Sequence, residues 1–390
     1  MRVGIYAGVT FPKAGGEFTL LSTVIRDVVV SACPYELIVF IEDEARPSRI
    51  REDNILYVNL IEPPSLLFRI RRKILRWLRY YREPVLNDFF DKVLWREKID
   101  LLWLLKPYNL DLSVPYVFTV WDLGHRMLPC FPEVGLPAEW KMRETMYQKM
   151  LLRATYIITG NEVGKQEILA NYPINADKIK IIPFPISSFC FEKLAVPADL
   201  GNIKKPFVFY PAQFWAHKNH VALVEAIAWL RDKKKTIINC YFVGSEKNNL
   251  NQVKYAIKKH NLENQVFILG FVEYAELRYL YQNALAMVYI SLMGPNNLPP
   301  LEAIALGCPV IISNIPGHIE QMGKAGLFVN AFVPQDIGRA ILTLYKNPKR
   351  CRELISNGLI LAKKYKNYSY FQEMLRVIEQ YALQYKTWAV

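Results

Sequence analysis

Short apolar runs alternate with longer amphipathic segments along most of the chain. The apolar runs have the length of buried strands and the segments between them have helical periodicity, which together are typical of parallel α/β sheets. The pattern predicts two successive doubly wound α/β units, with ligands bound at the carboxyl ends of the strands in the cleft between them. The predicted strands are 2–7, 37–41, 55–58, 101–104, 116–120, 156–159 and 179–182, followed by 207–210, 239–243, 266–269, 286–290, 310–312 and 326–329.

A stretch of weak periodicity separates the two sets of strands. It begins after Pro183-Phe184-Pro185 and runs to Pro206, and we interpret it as an interdomain linker. A chain of 390 residues, of which 52% are hydrophobic, also exceeds what one ordinary core holds. The predicted organisation is an N-terminal domain at 1–185, a linker at 186–205, a C-terminal domain at 206–369 and a last helix at about 370–390.

Composition narrows the classes of protein to consider. No apolar run reaches the roughly 18 to 20 residues that a membrane-spanning helix needs, and the first apolar run is predicted to be a buried strand rather than a signal peptide. The 6 cysteines are scattered without a C-x-x-C pair, which argues against a disulfide framework or a zinc site and indicates a reducing cytoplasm. The net charge of +13 indicates an anionic partner: nucleic acid, a membrane face or a phosphate-bearing substrate.

Part of that charge lies on one predicted helix, 65–82. Its basic residues all fall outside an apolar arc that includes Trp77 and Tyr81, as an anchor on an anionic membrane face requires. A helix that packs on the core with a basic solvated face explains the same pattern, so both interpretations stay open. Nothing resembling a nucleic-acid recognition module accompanies the helix, which argues against nucleic acid as the partner.

The most informative segment follows the predicted strand 286–290. A loop of small residues ends in Leu298-Pro299, where a helix begins, so that backbone N–H groups and the positive end of the helix point at an anion such as phosphate. One turn into this helix, Glu302 is placed to accept hydrogen bonds from ribose hydroxyls. Gly307-Cys308-Pro309 then ends the helix and restarts the sheet.

This segment resembles glycosyltransferase family 4, whose members have the GT-B fold, two Rossmann-like domains facing each other across a cleft. Glu302 matches the second of two glutamates that are eight positions apart in the family, and the first falls on Gly294. The variant Gly-Pro-x-Asn-x-Pro-Pro-Leu-Glu is similar to a subgroup pattern, which favours an active enzyme. The loop residues Asn296, Asn297 and Leu298 are the expected donor contacts.

Other loops of the C-terminal half continue the resemblance. The family loop that neutralises the donor pyrophosphate carries an arginine and a lysine, which correspond here to Gln213 and Lys218. A diphosphate leaving group develops negative charge. Because Gln213 is neutral, Lys218, assisted by His217, is expected to neutralise that charge. Gly244 resembles the glycine turn that lines the donor pocket, and Phe271-Val272 resembles the loop that contacts the nucleotide base.

The N-terminal half resembles the family more loosely. Gly15-Gly16 follows the first strand and is expected over the donor phosphates, as the resemblance favours; a plain strand–helix turn is the alternative. Asp122 lies on the loop that faces the acceptor, where the family often has a histidine and this chain has Trp121. His125 is expected to replace that histidine near the reacting centre, or else to be a structural hydrogen-bond partner.

The resemblance implies a retaining transfer from a nucleotide-sugar donor to a glycan or lipid-linked acceptor, in synthesis of a cell-surface polysaccharide. Attack from the front face requires no protein nucleophile, and neither a bound metal nor another cofactor is expected. The expected location is cytoplasmic, with peripheral attachment to the inner membrane face through helix 65–82. A catalytically inactive donor-binding partner protein is the alternative that Gly294 and Gln213 motivate, and a nucleotide-sugar epimerase is a third.

Overall fold

The computed structural model describes residues 1–8, 16–43, 47–52, 55–60, 86–192, 203–366 and 369–387. Helix 65–82, Gly15 and half of the predicted linker, residues 193–202, lie outside the described residues. Within the described ranges no helix combines the length and the hydropathy that a membrane span requires. We call the residues up to 192 the N-terminal half and residues 203–366 the C-terminal half.

The N-terminal half is built on an 8-stranded sheet with the order β3-β4-β2-β1-β5-β6-β7-β8. All neighbouring strands are parallel except β3, which pairs antiparallel with β4 at the edge. The strands are β1 (Arg2–Gly8), β2 (Glu36–Ile41), β3 (Arg49–Glu52), β4 (Ile55–Asn59), β5 (Leu101–Leu104), β6 (Tyr116–Thr119), β7 (Tyr156–Thr159) and β8 (Ile179–Ile181).

The C-terminal half contains a 6-stranded parallel sheet with the order β11-β10-β9-β12-β13-β14. The chain therefore builds outward from β9 in one direction and then in the other, so a crevice opens between β9 and β12 at their carboxyl ends. The strands are β9 (Phe207–Pro211), β10 (Asn239–Val243), β11 (Val266–Gly270), β12 (Ala286–Tyr289), β13 (Val310–Ser313) and β14 (Gly326–Val329).

Helices connect the strands and cover both sheets. Most begin where polar residues or proline can satisfy or remove the first free N–H groups, as at Pro132, Pro137, Pro316 and Pro334. They are α1 (Gly16–Val30), α2 (Leu86–Arg96), α3 (Gly124–Met127), α4 (Pro132–Gly135), α5 (Pro137–Arg153), α6 (Glu162–Asn171), α7 (His220–Lys234), α8 (Leu250–Lys259), α9 (Tyr274–Asn283), α10 (Leu298–Ala305), α11 (Pro316–Met322), α12 (Pro334–Lys346), α13 (Pro348–Lys366) and α14 (Tyr370–Tyr385).

Every predicted strand is present, with ends within one residue of the prediction. The structure contains one further strand among the described residues, β3, which the pattern did not predict. Its residues Arg49–Glu52 are mostly exposed and charged. Edge strands commonly carry such residues because charges discourage pairing with other chains, and this removes the apolar signature that marks a buried strand.

The N-terminal sheet has an apolar core on each face. In β5, Leu101 and Trp103 point to one core while Leu102 and Leu104 point to the other, as the alternation of a strand requires. The last helix, α14, covers the first of these faces, where the rings of Trp103 and Tyr370 stack with centroids 6.0 Å apart. The chain thus returns to the N-terminal sheet after completing the C-terminal half.

Candidate active site

A cavity of about 610 Å³ lies between the two halves. Its N-terminal wall comes from the start of α1, the segment after β6, and α4 and α5. Its C-terminal wall comes from the segments that follow β9, β10, β11 and β12 and from the start of α10. The cavity is therefore at the carboxyl ends of the strands, where the strand pattern predicts it.

Most of the predicted site residues meet at this cavity. Gly15 lies outside the described residues, and His125 does not line the cavity. The predicted residues that line it are Gly16, Asp122, Gln213, His217, Lys218, Gly244, Phe271, Val272, Asn296, Asn297, Leu298 and Glu302.

Lys218 ends a short 3₁₀ turn, Ala216–Lys218, just before α7. Its Nζ donates to Tyr289 Oη at 2.9 Å and to Ser291 Oγ at 3.3 Å, and lies 3.5 Å from Asn297 Oδ1. These acceptors are all neutral, and none of the ion pairs among the described residues includes Lys218. Burial lowers the pKa of Lys218 to about 8, although the carboxylates of Asp122 and Glu133 oppose this shift.

Asn297 is held from both sides. Its Oδ1 accepts from Tyr289 Oη at 2.6 Å, and its Nδ2 faces His318 Nε2 at 2.9 Å. Because His318 Nδ1 lies 3.2 Å from the carbonyl oxygen of Ser313, that nitrogen carries the proton, and Nε2 accepts from Asn297. The amide therefore has one orientation, with its oxygen towards Lys218.

Gly294, which the sequence resemblance aligns with a glutamate, has a φ of 108°. This left-handed conformation is strained for any residue with a side chain, so the loop shape and the missing carboxylate go together. The amide Nδ2 of Asn297 lies 3.3 Å from the carbonyl oxygen of Gly294 and so faces the loop that carries it. A glutamate at position 294 would thus strain this loop, which accounts for the absence of its carboxylate.

Glu302 lies in the first turns of α10 and is only 5% exposed. Ser187 Oγ donates to its Oε1 at 2.5 Å, and Tyr281 Oη donates to its Oε2 at 2.8 Å. Burial raises the pKa of Glu302, and the two hydrogen bonds oppose that shift. The side chain is fixed in place by one residue from each half, and its remaining acceptor capacity is available at the cavity.

Gln213 is anchored rather than free. Its Nε2 donates to Ser245 Oγ at 2.9 Å, and its Oε1 accepts from Trp215 Nε1 at 3.0 Å. Next to it, Gly244 has a φ of 153°, and a Cβ there would lie 2.3 Å from the carbonyl oxygen of Ala212. Glycine is needed because two loops of the cavity wall approach each other at this point.

Asp122 is paired with Arg143, a residue of α5 that also lines the cavity. Asp122 Oδ1 accepts from Arg143 Nη2 at 2.5 Å and from the N–H of Gly124 at 2.8 Å. Burial alone would raise the pKa of Asp122, but the Arg143 charge and the Gly124 hydrogen bond hold it below its usual value. The N-terminal wall of the cavity therefore carries a fixed carboxylate.

The hypothesis that His125 acts near the reacting centre is corrected by the structure. The side chain is completely buried, with its ring stacked on Tyr147 at 5.3 Å and its Nε2 3.2 Å from Glu144 Oε2. Tyr172 Oη lies 3.3 Å from the same nitrogen. His125 is held inside the N-terminal half because its imidazole completes a buried polar cluster there.

Several residues that line the cavity or hydrogen-bond to its predicted residues were not anticipated from the sequence. Tyr289 is the last residue of β12, and Ser291 directly follows the predicted strand 286–290, so their position at the carboxyl end was a usable signal. No sequence pattern marks the others, because they lie on helices or, as Ser187 does, in the predicted linker. Among them, Glu133, Arg143 and Tyr289 line the cavity, and Ser187, Tyr281 and Ser291 hydrogen-bond to Glu302 or Lys218 without lining it.

Hydrogen bonds across the cleft join the two halves beside the cavity. Asn161 Nδ2 donates to the carbonyl oxygen of Pro295 at 2.7 Å, and Asn296 Nδ2 donates to Asn161 Oδ1 at 3.2 Å. Glu320 accepts from the N–H groups of Glu162 and Val163 at 2.8 and 2.9 Å. The loop that follows β12 is thus fastened to the turn that follows β7.

Comparison with known proteins agrees with this geometry. Residues 197–359 match the family model described as glycosyl transferases group 1. The chain is 28% identical over 66% of its length to the O-antigen chain mannosyltransferase B of Escherichia coli, covering 68% of that protein. It is 26% identical over 46% of its length to the O-antigen chain mannosyltransferase RfbU of Salmonella typhimurium, of which it covers 47%, about half.

Solved structures share the whole architecture. A sucrose-phosphate synthase from Thermosynechococcus elongatus superposes with a TM-score of 0.70 at 18% identity, over 99% of this chain and 100% of that one. HepE of Anabaena, in complex with UDP-glucose, gives a TM-score of 0.68 at 14% identity, over 98% and 99% of the two chains. The chain therefore has the GT-B fold, two Rossmann-like domains facing each other across a cleft, and its residues 197–359 match the group 1 glycosyltransferases.

Proposed function

We propose that the protein is a retaining glycosyltransferase that moves a sugar from a nucleotide-sugar donor to a glycan or lipid-linked acceptor. The observation that carries the proposal is Lys218, a cation at the cavity wall whose acceptors are all neutral oxygens. A half-buried ammonium in this setting favours an anionic ligand, because a bound anion would supply the missing opposite charge. A diphosphate meets that need.

The surroundings of Lys218 support a nucleotide diphosphate in particular. The positive end of the α10 helix dipole borders the same cavity, and Glu302 lies one turn further on. A carboxylate fixed by Ser187 and Tyr281 is suited to accept hydrogen bonds from the vicinal hydroxyls of a ribose. The structural neighbour HepE, whose complex contains UDP-glucose, is consistent with such a ligand.

In the proposed reaction the bond between the sugar and the diphosphate breaks while the acceptor hydroxyl attacks from the same face. Negative charge grows on the leaving diphosphate, and Lys218 and the N-terminus of α10 stabilise it. Gln213, anchored and neutral, adds no charge, so the dependence on Lys218 should be strong. The acceptor proton passes to a leaving oxygen, which requires no protein nucleophile.

The relatives guide the choice of donor and acceptor. Both curated relatives described above are named as O-antigen mannosyltransferases. We therefore place this protein in the synthesis of a cell-surface polysaccharide, with a mannosyl donor as the first candidate. A cytoplasmic location, with attachment to the membrane through helix 65–82, remains part of this proposal.

Calorimetric titration of UDP, GDP, ADP and dTDP into the wild type and Lys218→Ala tests the proposal. One nucleotide should bind to the wild type, and the variant should bind it about 10- to 100-fold more weakly, the worth of one charge-assisted hydrogen bond. Lys233→Ala, which removes an exposed lysine of α7, is the matched control and should bind like the wild type.

Transfer is then measured with the sugar derivative of the nucleotide that binds, by following released nucleoside diphosphate. Glu302→Ala should reduce the rate at least tenfold, and the product anomer, read by NMR, should retain the donor configuration. If no nucleotide binds, the protein is not an active transferase of this kind. If one binds but no sugar is released or transferred, the inactive donor-binding partner protein replaces the enzyme as the better proposal.

A further inference from the structure

A carboxylate of the N-terminal half reaches across the cleft to the loop that carries Lys218. Glu133, in α4, accepts from the backbone N–H of His217 at 2.9 Å and lies 2.5 Å from His217 Nδ1 through the same oxygen, Oε1. Its other oxygen accepts from Asn248 Nδ2 at 2.9 Å. Glu133 and His217 both line the cavity, and both side chains are less than 10% exposed.

This contact fixes the proton on the imidazole of His217. Burial alone would raise the pKa of Glu133, but its hydrogen bonds from His217 and Asn248 lower it to about 2, so it is a carboxylate. A carboxylate accepts hydrogen bonds, and Nδ1 of His217 must therefore carry a proton. In a neutral imidazole, Nε2 is then the acceptor.

Nε2 of His217 is the ring atom left for a ligand. It makes no hydrogen bond with any described residue, and it is not among the buried side-chain atoms without a partner, so it is open to the cavity. An imidazole held at one nitrogen by a carboxylate and open at the other is a common arrangement for binding or activating a hydroxyl.

The charges around His217 favour the neutral ring. Burial lowers the pKa of His217, and the adjacent Lys218 lowers it further, while Glu133 and Asp122 oppose both effects. His220, the other titratable neighbour, is fully buried and its own pKa is lowered to about 3, so it adds no charge. A neutral ring with a lone pair at Nε2 repels phosphate oxygens and instead accepts a hydrogen bond, so His217 does not assist Lys218 at the diphosphate as the sequence led us to expect.

We propose that Glu133 and His217 form a carboxylate–imidazole pair, completed only when the two halves of the cleft are together, in which His217 Nε2 accepts a hydrogen bond from a sugar hydroxyl. The inference rests on the proposed transferase function and deepens it. The hydroxyl belongs to the transferred sugar or to the acceptor, since both enter this cavity. Glu133 is a positioning residue, and His217 is the residue that touches substrate.

Two substitutions of His217 distinguish the roles of its two ring nitrogens. His217→Asn keeps an N–H donor near Nδ1 for Glu133 but removes the acceptor at Nε2, whereas His217→Gln places an amide oxygen near Nε2 and loses the Glu133 contact. Turnover should fall about 10- to 100-fold in His217→Asn, the worth of one hydrogen bond left unmade, and should recover in part in His217→Gln. His260→Asn, at a histidine of the same half that does not line the cavity, is the matched control.

Calorimetry with a nucleoside diphosphate and with its nucleotide sugar identifies the source of the hydroxyl. If the hydroxyl belongs to the donor sugar, His217→Asn weakens the binding of the nucleotide sugar more than the binding of the nucleoside diphosphate. If it belongs to the acceptor, the ratio of the two affinities stays constant while turnover falls. Either result supports the proposal, and unchanged turnover together with an unchanged ratio would overturn it.

The pH profile of turnover tests the role of Glu133, because a purely structural contact would not move it. Activity should fall at low pH as His217 becomes protonated and loses its acceptor. Glu133→Gln removes the negative charge that stabilises the imidazolium, which lowers the pKa of His217, so the acid limb should move to lower pH. If the acid limb of the pH profile stays at the same pH in a folded Glu133→Gln variant, Glu133 is excluded as the positioning residue.

Failure of this inference and failure of the proposed function give different results. If Lys218→Ala binds nucleotides as the wild type does, or no nucleotide binds, the donor site itself is wrong. If nucleotide binding depends on Lys218 while both His217 variants and Glu133→Gln behave as the wild type, only the carboxylate–imidazole pair is refuted.

Discussion

At the scale of single residues, the unusual group is the ammonium of Lys218. Tyr289, Ser291 and Asn297 surround it with neutral oxygens, and burial brings its pKa down to about 8. An ordinary lysine stays charged to about pH 10. The pKa of Lys218, whose charge the proposed reaction needs, therefore lies only about one unit above neutral pH.

This environment predicts a pH dependence of ligand binding. A diphosphate binds the protonated form, so the affinity for a nucleoside diphosphate should fall as pH rises above about 8, by up to tenfold per unit. Calorimetry between pH 7 and 9.5 measures it. Lys218→Arg keeps its charge throughout this range and should bind with a nearly constant affinity. A wild-type affinity that does not change between these limits would contradict the low pKa.

The residue scale also shows where sequence reasoning stops. Glu302 was placed at the cavity because it lies one turn into the helix that follows a predicted strand, and Lys218 because its loop resembles the family loop that neutralises the donor pyrophosphate. Glu133, which lines the cavity, and Ser187, which hydrogen-bonds to Glu302, were missed because only the packing of one half on the other brings them there. His125 was misplaced because a loop histidine looks the same in sequence whether it faces a cleft or a buried cluster.

At the scale of elements, α6 of the N-terminal half is capped by a residue of the C-terminal half. Glu320, in α11, accepts the first N–H groups of α6 from Glu162 and Val163, while Asn161 accepts from Gly164 at 2.9 Å. A carboxylate at this end also meets the positive end of the helix dipole. One element's free donors are thus satisfied by the other half of the molecule.

Removing that cap should destabilise the protein measurably. Glu320→Ala is expected to cost about 1 kcal/mol, the usual worth of a helix cap, and to lower Tm by about 1–2 °C in a thermal melt. Glu353→Ala, which breaks an exposed pair with Arg350, should change Tm much less. Equal melting temperatures for the two variants would show that the contact contributes no net stability.

Elements were also the scale at which sequence reasoning succeeded most. Buried parallel strands are continuous apolar runs, so their pattern is visible without a structure. The strand β3 escaped because its side chains face solvent. The bonds between Glu320 and α6 could not be predicted, because they join elements that no local pattern relates.

At the scale of the whole molecule, the two halves meet through small residues. A Cβ on Gly160 would lie 2.7 Å from the side-chain amide of Asn296, and one on Gly124 would lie 2.3 Å from Met293 Sδ. Both contacts join the N-terminal half to the loop that follows β12. The closeness of the halves depends on side chains being absent at these positions.

A branched side chain at Gly160 should therefore hold the cleft open. Gly160→Val is expected to enlarge the radius of gyration in small-angle X-ray scattering with nucleotide present, and to lower turnover on the order of 10²-fold because the reacting groups are separated. Ala170→Val, at an exposed position of α6, controls for the added bulk. A Gly160→Val protein with the wild-type radius would show that the loop after β12 adapts instead.

The position of α14 has a consequence for how the protein is made. The N-terminal sheet leaves the ribosome before the C-terminal half does, yet it buries Trp103 under α14, a helix that is synthesised after that half. Until then Trp103 and the apolar residues around it lack their cover, while the whole C-terminal half is being added and can fold. The N-terminal half, although synthesised before the C-terminal half, is therefore the one that finishes folding last, and a cell must keep its uncovered apolar face from aggregating in the interval.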